Sequence, residues 1–507
     1  MINYKITPNF LSHEWHITLS FTQPNDYETE ISLPNWVPGS YLIRDFARHI
    51  THISARCDDK AQLLTQTSKN HWQTPALSGA WEIYYTVYAF DLSVRGSFLS
   101  TERGFFDGAC LFLKVHGQEE QPHQVEFPTL PHTWQIATTL PQISATTFQT
   151  ASYTELIDHP VETGIIEFLD FEAQDIPHRI ALSGIYPDFD RARFLADIQK
   201  ICETELAMFP SPAPFTEYLF LLHLGDNLYG GLEHISSTAL LADRHSLPSY
   251  DMGEADKAYT ELLGLFSHEY FHAWNVKSIK PAALAQSDLN QEAYTELLWA
   301  FEGITSYYDD LFLVRNGRIS PTAYLEILAK TITRVHRNPG HRRQTLAQSS
   351  FHAWDKYYKQ NENSPNAITS YYQQGALAAL CLAAGLLHSA AAQTVLRYSD
   401  HEPYGNMRTR FINDVFFKHV EAESGGRIKI EPHWDGSIAQ AHDELQALAD
   451  GKTDLIVAVP EYSLQQLPLH QLFKGFMTGP SGDAQVQTLR RIYATSPNSP
   501  PNTRKTA

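Results

Sequence analysis

The segment from Leu265 to Pro281, LFSHEYFHAWNVKSIKP, constrains this chain more than any other stretch. His268 and His272 stand four apart, Glu269 follows the first, and apolar residues fill most of the neighbouring positions. On an α-helix, positions i and i+4 project from one face, so the two imidazoles can share one metal ion with a carboxylate leaning over it. The spacing predicts a helix with one face in the core and the other at a metal-assisted hydrolytic site, ended by Pro281. With 24 histidines in the chain, the same pattern also arises from two ordinary core or surface histidines, so a third ligand has to be found.

LLWAFEGITSYYDD, Leu297 to Asp310, supplies one. Glu302 sits in an otherwise apolar turn, where an ionised carboxylate is expensive to bury without a cation or partner. His268, His272 and Glu302 would leave one position of a tetrahedral metal open for water, the pattern of a catalytic site. Two histidines and one carboxylate around an open position favour one Zn2+ ion over manganese or cobalt. Glu296 competes as a ligand but begins the helix and reads as solvated; Asp309 and Asp310 could orient a ligand histidine, or stand as exposed helix-end carboxylates.

Charge narrows the partners. A formal net charge of -19 gives a nucleic-acid backbone or an anionic membrane little to bind. Cys57, Cys110, Cys202 and Cys381 are scattered without CxxC spacing, which suits reduced thiols. The opening MINYKITPNF lacks a basic segment followed by an apolar one, so a cytoplasmic location and no membrane insertion are expected.

The fold class expected is multidomain α+β. Trp15, Ile17, Leu19 and Phe21 alternate with polar residues, and WEIYYTVYAF, Trp81 to Phe90, is a second aromatic and β-branched run. An all-β sandwich-like domain is expected over residues 1–160. Another β run, TEYLFLLHL, leads into a helical pattern with Leu262, Leu263, Phe266 and Tyr270 in one helix and Leu297, Leu298, Phe301 and Leu311 in the next. The lone histidines His223, His234 and His245 read as structural, and RVHRNPGHRR, Arg334 to Arg343, as a solvated loop.

SHEYFHAWNVKSIKP, LLWAFEGITSYYDDLFLVRNG, GGLEHISST and LPNWVPGSYLIRDFARHI together resemble the glycyl aminopeptidase family of gluzincin metallopeptidases, over roughly residues 1–380. The resemblance implies a thermolysin-like, mostly helical catalytic domain, placed at residues 161–390, acting on peptides with a free N-terminus and a first residue of glycine or alanine. It implies His268, His272 and Glu302 as zinc ligands and Glu269 as general base. It also implies a tyrosine hydroxyl donor, for which Tyr372 in SYYQQGAL matches and Tyr371 is the alternative; Gln374 stands where the family pattern has lysine. In GGLEH, Gly230 and Gly231 would let a substrate backbone approach and Glu233 would pair with its α-ammonium group. The alternative there is an ordinary Gly-Gly turn beside an exposed glutamate.

Members of that family usually carry a C-terminal PDZ domain, and here the pattern changes instead. GALAALCLAAGLLHSAAAQ reads equally as a catalytic-domain helix or an apolar export segment. Strand, helix, strand, helix and strand patterns then predict an α/β fragment over residues 394–485, before a polar tail at 486–507. VLRYSDHEPYGNMRTRFINDVFF and ALADGKTDLIVAVPEYSLQQLPLHQLF resemble the start of a tripartite-transporter (TRAP-type) solute-binding protein. The expectation is a fusion with a truncated catalytic domain of reduced activity. A catalytically silent scaffold and a solute-binding fragment are the other classes.

Overall fold

The computed structural model describes residues 1–389, 394–426 and 428–457. The chain divides into two compact units, Met1–Ala384 and Gly385–Ala507.

The first unit begins with β structure. Glu14–Gln23 pairs antiparallel with Gly79–Tyr88 in a register that sets Trp15, Ile17, Leu19 and Phe21 against Val87, Tyr85, Ile83 and Trp81. All eight side chains are buried, so the alternation in the sequence becomes one continuous core face. Burying a large apolar side chain of this kind contributes roughly 1.5–3 kcal/mol. These strands lie in the middle of an eight-stranded sheet whose remaining strands include Ile2–Asn9, Ile50–Cys57 and His123–Glu126. Two four-stranded sheets, one built on Glu30–Ser32 and His71–Gln73 and one on Arg103–Phe106 and Val161–Gly164, accompany it.

A five-stranded mixed sheet follows, of which the sequence pattern showed one strand. Its strands are β1 (Glu167–Ala173), β2 (Ile176–Gly184), β3 (Tyr218–Gly225), β4 (Tyr229–Glu233) and β5 (Ser237–Asp243), in the order β1-β2-β3-β5-β4. β2, β3 and β5 run parallel, and β4 pairs antiparallel with β5 at the edge. Helices α1 (Arg191–Leu206) and α2 (Lys257–Phe271) pack on this sheet through Phe194, Ile198, Leu262, Leu263, Phe266 and Tyr270. Helices α3 (Ile304–Arg315), α4 (Pro321–Arg337) and α5 (Gln373–Ser389) complete the helical part. The apolar run after Tyr372 is therefore a helix as far as Ser389, and no helix among the described residues is long and apolar enough to cross a membrane.

Two expectations are corrected here. α2 does not run to Pro281: it ends at Phe271, with His272 as its C-cap. The His272 carbonyl accepts from the Lys277 amide, and Val276 takes a positive φ of 123°, so the chain turns away from the helix axis. The basic run from Arg334 is not a loop throughout, because Arg334 and Arg337 form the last turn of α4, where cations suit the carbonyl end of a helix.

In the second unit, Thr394–Ser399 is the central strand of a parallel three-stranded sheet, flanked by Ile428–His433 and Leu455–Ile456. Helical segments over 407–423 and at Glu444–Ala449 connect the strands. The rest of the expected α/β fragment, 458–485, and the polar tail at 486–507 lie outside the described residues.

Candidate active site

α2 presents two faces because its sequence has two. Asp256 caps its start by accepting from the Tyr259 amide at 2.8 Å, and the apolar positions face the sheet. The other face carries His268 and Glu269, with His272 at the C-cap. The imidazole rings of His268 and His272 lie 4.7 Å apart, nearly perpendicular.

The third group arrives from a different element. Glu302 lies in a π-helical turn, Trp299–Gly303, that feeds into α3. Single π turns inside helices shift side chains out of the regular register and are frequent at functional sites. Gly303 allows this turn to pack against α5, since a Cβ there would strike the backbone of Gly375. Glu302 Oε2 stands 3.3 Å from His272 Nε2 and 3.7 Å from His268 Nε2. Its other oxygen accepts from the Tyr41 hydroxyl at 3.0 Å.

Both imidazoles are fixed from behind. His268 Nδ1 bonds Asp309 Oδ2 at 2.9 Å, and His272 Nδ1 bonds the Asn275 carbonyl at 2.7 Å. Asn275 in turn donates to the Phe301 carbonyl at 2.9 Å, tying the end of α2 to the turn that carries Glu302. The reading of Asp309 as an exposed helix-end residue is thus corrected: it lies inside α3, half-buried, and holds a histidine. Both Nε2 atoms are left facing Glu302, and ligand atoms of the three residues lie within 4.8 Å of one another. Two imidazoles and one carboxylate converging on one point fit a divalent cation.

The electrostatics carry the same message. Burial works against a charge on Glu302, but His272 and His268 hold its carboxyl down to about 2. Burial likewise opposes a charge on His272, which Glu302 and Glu233 nevertheless raise to about 9. Such mutual stabilisation of buried opposite charges is what a metal would replace.

Glu269 is pushed up to about 7, chiefly by burial, with Glu233 and Glu302 adding to the rise against the two histidines. Its Oε2 is buried without a hydrogen-bond partner. The carboxylate lies against Gly231, where any Cβ would collide with Glu269 Oε1. Glu233, at the end of edge strand β4, is also buried, lies within 4.8 Å of ligand atoms of Glu269 and His272, and packs against Gly39. The Gly-Gly pair is consequently part of a strand and not a turn, and Glu233 is not an exposed glutamate.

Of the two tyrosines, Tyr371 is fully buried with no partner for its hydroxyl, while Tyr372 lines the cleft, its ring 6.4 Å from that of His268 and its hydroxyl 3.3 Å from that of Tyr358. Gln374 has a buried Oε1 without a partner. His234 sits between Asp107 and Asp158, His223 bonds Ser183, and His245 is exposed. Glu296 is exposed.

Glu233, His268, Glu269, His272, Glu302 and Tyr372 line one cleft of about 880 Å³, which Arg95, Tyr229, Lys330 and Arg334 also reach. Arg95, Tyr41, Asn275 and Gly39 were not singled out from the sequence, although Gly39 and Tyr41 lie in one of the motifs quoted above, LPNWVPGSYLIRDFARHI.

The Peptidase M61 N-terminal domain matches residues 3–165, and M61 glycyl aminopeptidase matches residues 261–378. The solved structure of an aminopeptidase N family protein from Idiomarina loihiensis is 37% identical, with a TM-score of 0.75, over 92% of this chain and 78% of that one. The chain belongs to the M61 glycyl aminopeptidase family. An M1 zinc metallopeptidase from Deinococcus radiodurans is 12% identical over 77% of this chain and 82% of its own, at a TM-score of 0.44. The comparison with curated proteins gives no match. Family membership accounts for the multidomain α+β fold, with a β-rich N-terminal part and a helical part that carries the site.

Proposed function

We propose that this protein is a zinc-dependent aminopeptidase that removes the first residue, preferably glycine or alanine, from peptides. The observation that carries the reading is the convergence of His268 Nε2, His272 Nε2 and Glu302 Oε2 beside the partnerless Glu269 carboxylate, with Glu233 across the cleft. A small first residue rests on the family description alone.

His268, His272 and Glu302 would hold the ion. Bound there, zinc would polarise the scissile carbonyl and acidify a water molecule. Glu269 takes the proton of the attacking water and returns it to the leaving amine, a role open to a buried carboxylate whose Oε2 has no other hydrogen-bond partner. Tyr372 donates its hydroxyl to the oxygen on which charge develops. Glu233 pairs with the substrate's α-ammonium group and so sets the cut one residue from the end. β4 is a sheet edge, and a substrate in extended form can align along it.

The test is hydrolysis of glycyl and alanyl peptides by purified protein, with bound metal measured and Glu269→Gln run in parallel. Release that requires zinc and disappears in E269Q supports the reading. Bound zinc without release, or release untouched in E269Q, refutes it.

A further inference from the structure

Arg95 enters the cleft from the loop between strands Gly79–Tyr88 and Ser97–Leu99. The loop is pinned by Arg95's own backbone, whose amide donates to Ser93 Oγ and whose carbonyl accepts from Cys110 Sγ. Its Nη2 donates to the Gly231 carbonyl at 2.8 Å, and its Nε is buried with no acceptor. Among the described residues neither this guanidinium nor that of Arg44, the nearby arginine whose pKa burial and then Arg95 depress, forms an ion pair with a carboxylate; their side-chain bonds go to the Gly231 carbonyl and to Ser40 Oγ. Burial works against the charge on Arg95 itself, but Tyr358, Tyr372, Glu269 and Glu233 leave its pKa above the ordinary value. Glu269 and Glu233 thus offset part of the cost of this charge from within the cleft, but no carboxylate pairs with the guanidinium directly and its Nε lacks an acceptor.

The register of β4 says where that anion would come from. Glu233 and Gly231 are two residues apart on an extended strand, a separation of about 6.8 Å, which is also the reach of a dipeptide from its amine to its carboxylate. We propose that Arg95 receives the C-terminal carboxylate of a dipeptide whose amine is held by Glu233, so that the cleft selects dipeptides over longer or carboxyl-blocked peptides. The proposal rests on the aminopeptidase reading above. The guanidinium is planar and presents paired donors, a geometry that suits a carboxylate better than a peptide carbonyl.

The experiment compares Ala-Ala with Ala-Ala amide and Ala-Ala-Ala, for the wild type and Arg95→Gln. The wild type is expected to favour the free dipeptide in kcat/KM by about tenfold or more, the size of a charge-assisted hydrogen bond, mainly through KM. R95Q brings the acid-to-amide ratio close to one, and Arg95→Lys restores part of it. No acid preference in the wild type, an unchanged ratio in R95Q, or equal losses on acid and amide would overturn the proposal; the last would leave Arg95 as a brace for the Gly231 carbonyl. Calorimetric binding of Ala-Ala and its amide to Glu269→Gln protein, with and without R95Q, decides the same question where turnover is absent. Acid-selective binding that R95Q abolishes supports the proposal even if the wild type cuts nothing, an outcome that refutes only the aminopeptidase reading. Binding of neither ligand, or of both equally, refutes the carboxylate site.

Discussion

Asp309 Oδ2 lies 2.9 Å from His268 Nδ1, so the imidazole that faces Glu302 is oriented by a carboxylate one helix away. Partners of this kind fix the tautomer and raise the basicity of a ligand. Asp309→Asn is expected to weaken zinc binding by about 10- to 100-fold while leaving the fold intact. Competition titration against a chelating dye, with circular dichroism as the fold control, measures both.

Gly231 has no room for a side chain because the Glu269 carboxylate occupies that space. Gly231→Ala would displace the carboxylate by a fraction of an ångström to an ångström, and displacements of that size cost on the order of 10²-fold in rate. The expected loss is in kcat, with zinc content unchanged. Full activity in G231A would mean that Glu269 is not the base.

Tyr371 and Tyr372 are adjacent and stacked, yet only Tyr372 lines the cleft. Tyr372→Phe should lower kcat by roughly 10²- to 10³-fold, the cost of removing one donor to a developing oxyanion. Tyr371→Phe removes a hydroxyl that has no partner and should leave kcat close to the wild-type value. The reverse ranking would exchange their roles.

His178 is buried, with Nδ1 at 2.8 Å from the Ile176 carbonyl and Nε2 at 2.9 Å from the Tyr270 hydroxyl, a set of contacts that suits the neutral ring. Burial depresses its pKa to about 4. Between that value and the unfolded value near 6.5 the unfolded chain binds more protons, so stability falls as pH drops through this window and is level above it. The contribution is roughly 3 kcal/mol. Urea unfolding between pH 4.5 and 7.5 should show this slope, and His178→Gln should flatten it. His223, lowered to about 3 by burial, would keep a residual slope in that variant.

How far the sequence speaks depends on the range of the interaction. The alternation of Trp15, Ile17, Leu19 and Phe21 declares a strand because period two is local, and the four-residue step from His268 to His272 declares a shared face for the same reason. The end of α2 is less legible: nothing in WNVKS forbids another turn, and the stop comes from hydrogen bonds made by His272 and Asn275 to later residues. β2 and β5 escaped notice because buried parallel strands lose the alternating pattern, as the nearly uniform burial of β5 shows, while β1, which pairs antiparallel, alternates only in part. Asp309 looked like an exposed carboxylate until α3 brought it to His268. Arg95 could not be found at all, since its partner Gly231 lies 136 residues away.

The hydrogen bond from Tyr41 to Glu302 joins residues 261 apart, and Tyr372 follows later still. During synthesis, a chain that has emerged as far as His272 already carries Tyr41, both histidines and Glu269, but lacks Glu302 and Tyr372. The order of synthesis therefore leaves the three-residue set incomplete until the chain has been made past Glu302, after the sheet and α2 that support it.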